Sequence, residues 1–211
     1  MECRFPRLAI VLCLAAMPAA PGLAAPPPVA PVLHLSGDDF PELLMRRSAL
    51  DESGDPLALA CDQIRARRID ELDPLWKQAV DRIHLDCDEL DEDEVGMDTI
   101  ATTATAFLKP GMAHFAGMPL LEVRLMDSEL WSDHQYLVDR PYAEARDALR
   151  AHVESRCQAR QDNPSLLVRH DCSVLVREDG LYLETHEAGG IWIHPGSDDP
   201  RHTIYAEAWA D

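Results

Sequence analysis

Basic residues are scarce in this sequence. Its 211 residues include 19 Lys and Arg against 38 Asp and Glu, which gives a formal net charge of -19, and only Lys77 and Lys109 are lysines. Proteins that bind nucleic acid through its phosphates need a basic surface. The charge balance therefore argues against a nucleic-acid partner and favours a basic protein partner.

Motifs that carry chemistry are also missing. The sequence contains no GxSxG, no SxxK, no glycine-rich phosphate-binding loop and neither the HExxH nor the CxxC spacing of zinc sites. It has no internal repeat, and beyond the first residues no apolar segment is long enough to span a membrane. We therefore predict no cofactor, no metal and no catalytic residue, and we expect a binding protein rather than an enzyme.

The first 24 residues are typical of a signal peptide. Arg4 and Arg7 precede the uncharged run 8–17, and small residues follow up to Ala24. We predict cleavage after Ala24 and export to the periplasm or the extracellular space. Because Glu2, Arg4 and Arg7 would be lost, the mature chain would carry a formal charge of -20.

Four cysteines remain in the mature chain and predict two disulfide bonds: Cys61, Cys87, Cys157 and Cys172. Four cysteines allow three pairings, and the sequence alone does not choose among them. Pairing between neighbours along the chain would join Cys61 to Cys87 and Cys157 to Cys172, and it would fasten each half of the chain separately.

The N-terminal half is predicted to be helical. After a proline-rich tether over residues 25–37, apolar residues recur at helical spacing within residues 38–110, with a break at Asp73 and Pro74. This pattern predicts an N-terminal helical hairpin, closed by a Cys61–Cys87 bridge if that pairing forms. A further short helix is expected over residues 99–107.

An acidic segment interrupts this half, since eight of the thirteen residues 86–98 are Asp or Glu. Its first glycine, Gly96, is out of register with the glycine of an EF-hand loop. We expect a solvated acidic loop, with calcium binding as the alternative.

The C-terminal half, residues 111–211, is predicted to form an antiparallel ββαβββ module, so that the whole chain belongs to the α+β class. Its expected elements are a strand at 119–126, a return strand at 136–138, a helix from Pro141 to Cys157, and three strands from Cys172 onward with a hairpin turn at Asp179 and Gly180.

The predicted register places an apolar row against this helix and an aromatic, acidic row on the opposite face of the sheet. That opposite row comprises Tyr182, Glu184, His186, Trp192 and His194, joined by Tyr205, Glu207 and Trp209 if the intervening residues of the last strand point inward. The register also sets Glu184 opposite His194.

We expect this face to bind and neutralise a basic protein in the cell envelope, such as a toxin or a cell-wall hydrolase, because Trp and Tyr anchor interfaces and acidic groups suit a basic partner. Equally, the N-terminal half could pack on this face. The alternative function is a small periplasmic hydrolase or a metal-dependent enzyme that uses Glu184, His186 and His194. The sequence predicts neither the identity of the partner nor the oligomeric state.

Overall fold

The computed structural model describes residues 31–35, 44–46, 61, 64–90, 99–128, 131–161, 172–184 and 189–210. These residues belong to one unit, Pro31–Asp211. The predicted signal peptide, nearly all of the first predicted helix and residues 91–98 of the acidic segment lie outside the described residues.

A ten-stranded mixed sheet dominates the described structure. Its strands are β1 (Leu33–Leu35), β4 (Val80–Leu90), β5 (Thr99–Leu108), β6 (Ala113–Phe115), β7 (Met118–Asp127), β8 (Trp131–Val138), β9 (Leu175–Val176), β10 (Leu181–Glu184), β11 (Gly190–Pro195) and β12 (Thr203–Ala210). A separate two-stranded sheet joins β2 (Met45–Arg46) to β3 (Arg65–Ala66). The described helices are α1 (Pro74–Ala79) and α2 (Tyr142–Gln161), with a 3-10 turn over Ile69–Glu71.

The strands run antiparallel in the order β4-β5-β7-β8-β12-β11-β10-β9. β6 pairs with the start of β7, and β1 pairs with β6 in parallel. The chain leaves β8 through α2, reaches the far edge of the sheet at β9 and returns strand by strand until β12 lies beside β8. This path brings residues from β7, β8, β10, β11 and β12 onto one continuous sheet.

The predicted N-terminal helical hairpin is wrong. Helix α1 begins at an N-cap in which the Asp73 carboxylate accepts hydrogen bonds from two backbone amides, but it ends at Ala79 and the chain continues as β4. Exposure alternates along β4: the half-buried side chains of Ile83 and Leu85 are separated by the exposed His84. This period of two is that of a strand and not of a helix.

The predicted helix over residues 99–107 is also wrong, because this Thr- and Ala-rich segment forms β5 between β4 and β7. The expected ββαβββ module is therefore incorrect. The strands of the C-terminal half continue into β5 and β4 as a single sheet, and four strands follow α2.

The main core lies between α2 and the sheet. Ala145, Leu149 and Val153 form the buried stripe of α2, as the helical spacing predicts, and they belong to one hydrophobic cluster with residues of β10 and β11. An aromatic group extends this core: the Phe115 ring lies 4.4 Å from that of Tyr136 and 4.7 Å from that of Tyr205, measured between centroids.

The two disulfide bonds join Cys61 to Cys87 and Cys157 to Cys172, which confirms disulfide bonding and gives the pairing between neighbours along the chain. Cys87 lies on β4, so the first bridge joins a turn to a strand and does not close a helical hairpin. The second joins α2 to the segment before β9. None of the described helices is long and apolar enough to cross a membrane.

Candidate binding surface on the open face of the sheet

The two faces of the sheet differ in what covers them. Helix α2 packs on the side toward which Ile191, Ile193 and Tyr205 point. The opposite side is called here the open face, because the described helix that contacts β10, β11 and β12 lies on the other side. Half-buried Tyr182, Trp192 and His194 belong to the open face, in agreement with the predicted division of β10 and β11 between an apolar and an aromatic side.

An aromatic pair marks this face. Tyr182 and Trp192 are directly opposite each other on β10 and β11, and their ring centroids are 5.1 Å apart. The guanidinium carbon of Arg177 lies 4.2 Å from the centroid of the Tyr182 ring. Gly190 provides the space for the pair, since a Cβ atom there would come within 2.5 Å of the Tyr182 ring and 2.8 Å of the Trp192 ring.

Next to the pair, two adjoining depressions run across β7, β8, β11 and β12. They share Gln135, Gly196 and Ser197 in their walls. Their charged lining consists of five carboxylates against one guanidinium: Glu122, Asp133, Asp179, Asp198 and Asp199 against Arg124. The surface is therefore aromatic at one end and predominantly acidic along its length.

Asp133 has the most unusual environment of these carboxylates. Its Oδ2 accepts a hydrogen bond of 2.7 Å from the Gln135 amide, whereas its buried Oδ1 has no hydrogen-bond partner. Burial raises the pKa of the Asp133 carboxyl above its ordinary value, and the hydrogen bond from Gln135 and the charges of Arg124 and His194 oppose this shift. The structure thus places a desolvated acceptor in the wall of a depression.

Tyr205 and Glu207 do not join this surface, contrary to the predicted orientation of the last strand. In the observed register Tyr205 is opposite Ile193 and Glu207 is opposite Ile191, so both side chains point toward α2. There the Arg156 guanidinium donates hydrogen bonds of 2.6 Å to the Tyr205 hydroxyl and 3.0 Å to the Glu207 carboxylate.

The last strand can adopt this orientation because the carboxylate that it buries is paired with a guanidinium of α2. Buried Glu207 is tolerated because Arg156 neutralises it, and buried Tyr205 joins the aromatic group around Phe115. Burial raises the pKa of the Tyr205 hydroxyl well above its ordinary value, and the nearby Glu207 adds to the effect. The open face instead receives Ala206 and Ala208, whose small side chains form the floor of one depression.

Glu184, His186 and Trp209 are the remaining residues predicted to lie on this surface. Glu184 is exposed at the end of β10, where it is opposite Gly190 and not opposite His194, because five residues separate the paired ends of β10 and β11 where three were expected. His186 and the side chain of Trp209 lie outside the described residues. The expected Glu184–His194 pair is therefore wrong, while a role of His186 stays a prediction.

Sequence reasoning missed Asp133 and Gln135 because it began the return strand at Tyr136. Strand β8 begins at Trp131, and its alternation sends Asp133 and Gln135 to the open face and the buried His134 and Tyr136 to the core. The sequence carried no period-two signal here, because three polar residues, 133–135, are followed by three largely apolar ones, 136–138.

No known protein family matches this chain, and neither a curated protein nor a solved structure resembles it significantly. The residues and geometry of the open face are therefore the basis on which a function is proposed.

Proposed function

We propose that this chain is an exported, disulfide-stabilised acidic protein that binds a basic protein in the cell envelope and neutralises it, as an inhibitor or immunity protein does. The binding surface is the open face around Trp192. The observation that carries this proposal is the combination, on one sheet face, of the Tyr182–Trp192 pair with depressions lined by five carboxylates and one guanidinium. Aromatic anchors beside a charged rim are the usual composition of a protein interface.

Export is supported by the composition of the N-terminus and by the two disulfide bonds, which persist in oxidising compartments. The basic character of the partner is supported by the net charge of -19 and by the acidic lining of the open face. Opposite charges accelerate encounter and disfavour acidic competitors.

The proposal is tested with the mature, oxidised protein immobilised on a resin. Envelope and secreted fractions of the source organism, and a panel of purified basic and acidic proteins of similar size, are applied at low and at moderate salt. We expect a basic protein to be retained at low salt and weakened at moderate salt.

The double variant Tyr182→Ala/Trp192→Ala should lose this retention, because it removes both aromatic anchors. Leu75→Ala, which truncates an exposed apolar side chain on α1, serves as the control and should bind as the wild type does. Circular dichroism confirms that each variant is folded. Unchanged retention by a folded double variant would exclude the open face as the binding surface.

A further inference from the structure

Two histidine side chains meet on neighbouring strands of the sheet. Strands β1 and β6 pair in parallel, and their register sets His34 directly beside His114. The two imidazole rings are stacked, with 5.6 Å between their centroids and 24° between their planes. The flanking residues Leu33, Leu35 and Phe115 are buried in the core, so the alternation of side chains along both strands turns the two histidines away from it.

The ring nitrogens of this pair are not engaged elsewhere in the described part of the chain. His34 is exposed and His114 is half-buried, and neither ring takes part in a hydrogen bond or an ion pair with another described residue. By contrast, Nε2 of the exposed His84 lies 3.1 Å from the Asp86 carboxylate. Two adjacent imidazoles with free nitrogens are a pair of metal ligands, since neutral imidazole is the commonest metal-binding side chain of proteins.

The spacing of the pair suits one shared ion. Neighbouring strands of a sheet lie about 4.8 Å apart, so side chains paired in register leave their strands at a similar separation. A zinc ion lies about 2.0–2.1 Å from a ligating imidazole nitrogen, so one ion can join two nitrogens that are about 3–4 Å apart. Rotation of the exposed His34 ring about its side-chain bonds can bring a nitrogen to this distance from His114.

The chemistry of the pair favours a transition metal over calcium or magnesium. Calcium and magnesium prefer oxygen ligands, whereas copper, nickel and zinc bind imidazole. Among these three divalent ions, copper binds a given set of nitrogen ligands most strongly. The net charge of -19 also raises the concentration of cations near the protein.

We propose that His34 and His114 together bind one divalent transition-metal ion, Cu²⁺ most strongly. Within the described residues no group of three His, Cys, Asp or Glu side chains could hold a metal, so the pair supplies two ligands and leaves the other coordination positions to water or to a bound molecule. The ion fastens β1 to β6. Sequence analysis led to the expectation of no metal because it searched local spacings, whereas these histidines belong to distant segments that the parallel pairing brings together.

This site is separate from the proposed protein-binding surface. Strands β7, β8 and β12 lie between β6 and β11, the strand that carries Trp192. Retention of a basic protein and binding of a metal ion are therefore independent results, and the failure of one leaves the other standing.

Titration of the mature, oxidised protein with Cu²⁺ tests the metal site. The protein is first treated with a chelator and freed of it, and binding is then followed by isothermal titration calorimetry and electron paramagnetic resonance. We expect a Cu²⁺ signal with nitrogen hyperfine coupling, and a melting temperature that rises with the Cu²⁺ concentration because the ion binds the folded chain. Ca²⁺ at the same concentration should neither compete nor raise the melting temperature.

Single substitutions identify the ligands. His34→Asn and His114→Asn should each weaken Cu²⁺ binding by about tenfold or more, since loss of a ligand costs at least as much as loss of a group that merely orients one. His84→Asn removes an exposed imidazole from β4 and serves as the matched control, which should bind as the wild type does. Circular dichroism confirms that each variant is folded.

Three results would overturn the inference. The first is a wild-type protein that binds no Cu²⁺ when the ion is in excess. The second is wild-type affinity in folded His34→Asn or His114→Asn. The third is an equal loss of affinity in all three variants, which would mean that copper is held only by scattered surface histidines.

Discussion

At the scale of single residues, two neighbours on β8 show how one strand serves both a core and a surface. Asp133 faces the open side of the sheet and His134 faces α2. Burial raises the pKa of the Asp133 carboxyl and lowers that of the His134 imidazole to about 4, because in both cases it disfavours the charged form. At neutral pH the histidine is therefore uncharged within the core, whereas the ionised Asp133 carboxylate is less stable than it would be in water.

The His134 environment predicts a pH-dependent stability. Its pKa is about 4 in the folded protein against 6.5 ordinarily, so below pH 6.5 the unfolded chain binds a proton that the folded protein does not. The free energy of unfolding should consequently fall as the pH is lowered from 6.5 toward 4, by about 1–2 kcal/mol between pH 7 and pH 5. Urea unfolding at these two pH values measures the change.

Two variants isolate this effect from the other titrating groups. His134→Gln should flatten the difference between pH 7 and pH 5, because the substituted side chain does not titrate. His84→Gln, at an exposed position on β4, should retain the slope of the wild type. The same pH dependence in His134→Gln and in the wild type would show that His134 is not its source.

At the scale of elements, Gly190 connects the hairpin of β10 and β11 to the binding surface. A Cβ atom at this position would overlap the rings of Tyr182 and Trp192. Gly190→Ala should therefore displace the aromatic pair, cost about 1–3 kcal/mol of stability and weaken retention of the basic partner. The fluorescence of Trp192, compared in backgrounds with and without Trp192→Phe, reports the displacement. An unaltered Trp192 signal in Gly190→Ala would contradict this account of the pair.

The elements also show what the sequence can predict. Strand β7 and helix α2 were predictable because their apolar residues follow a clear period, and the faces of β10 and β11 were correct although their pairing was shifted. Glu184 is opposite Gly190, which is four positions from its predicted partner His194. Because side chains alternate between the two faces of a strand, a shift by an even number of residues leaves every side chain on its predicted face. The register of a hairpin depends on the length of its connection, and the two consecutive glycines between β10 and β11 did not reveal that length.

The N-terminal errors have a different cause. Thr99–Leu108 becomes a strand because it pairs with β7, a contact between segments that are distant along the chain. The orientation of β12 likewise depends on Arg156, since the helix supplies the charge that allows Glu207 to point inward. Local patterns do not encode such tertiary partners, so Tyr205 and Glu207 were assigned to the wrong face.

At the scale of the whole molecule, the net charge of -19 acts over longer distances than any single contact. It cannot by itself select one basic protein among many, because exposed charges are screened by salt. The aromatic pair provides short-range contacts that screening affects little. Charge and aromatic contacts should therefore govern different steps of binding.

This division predicts opposite kinetic signatures for salt and for the Trp192→Ala variant. Raising the ionic strength from about 0.02 M to about 0.2 M should slow association with the retained basic protein by about tenfold or more while changing dissociation little, since long-range attraction acts on encounter. Trp192→Ala should instead accelerate dissociation and preserve the salt dependence of association. Surface plasmon resonance at several salt concentrations separates the two rates. An association rate independent of salt would mean that the acidic surface does not steer the partner, and the charge of the molecule would then need another explanation.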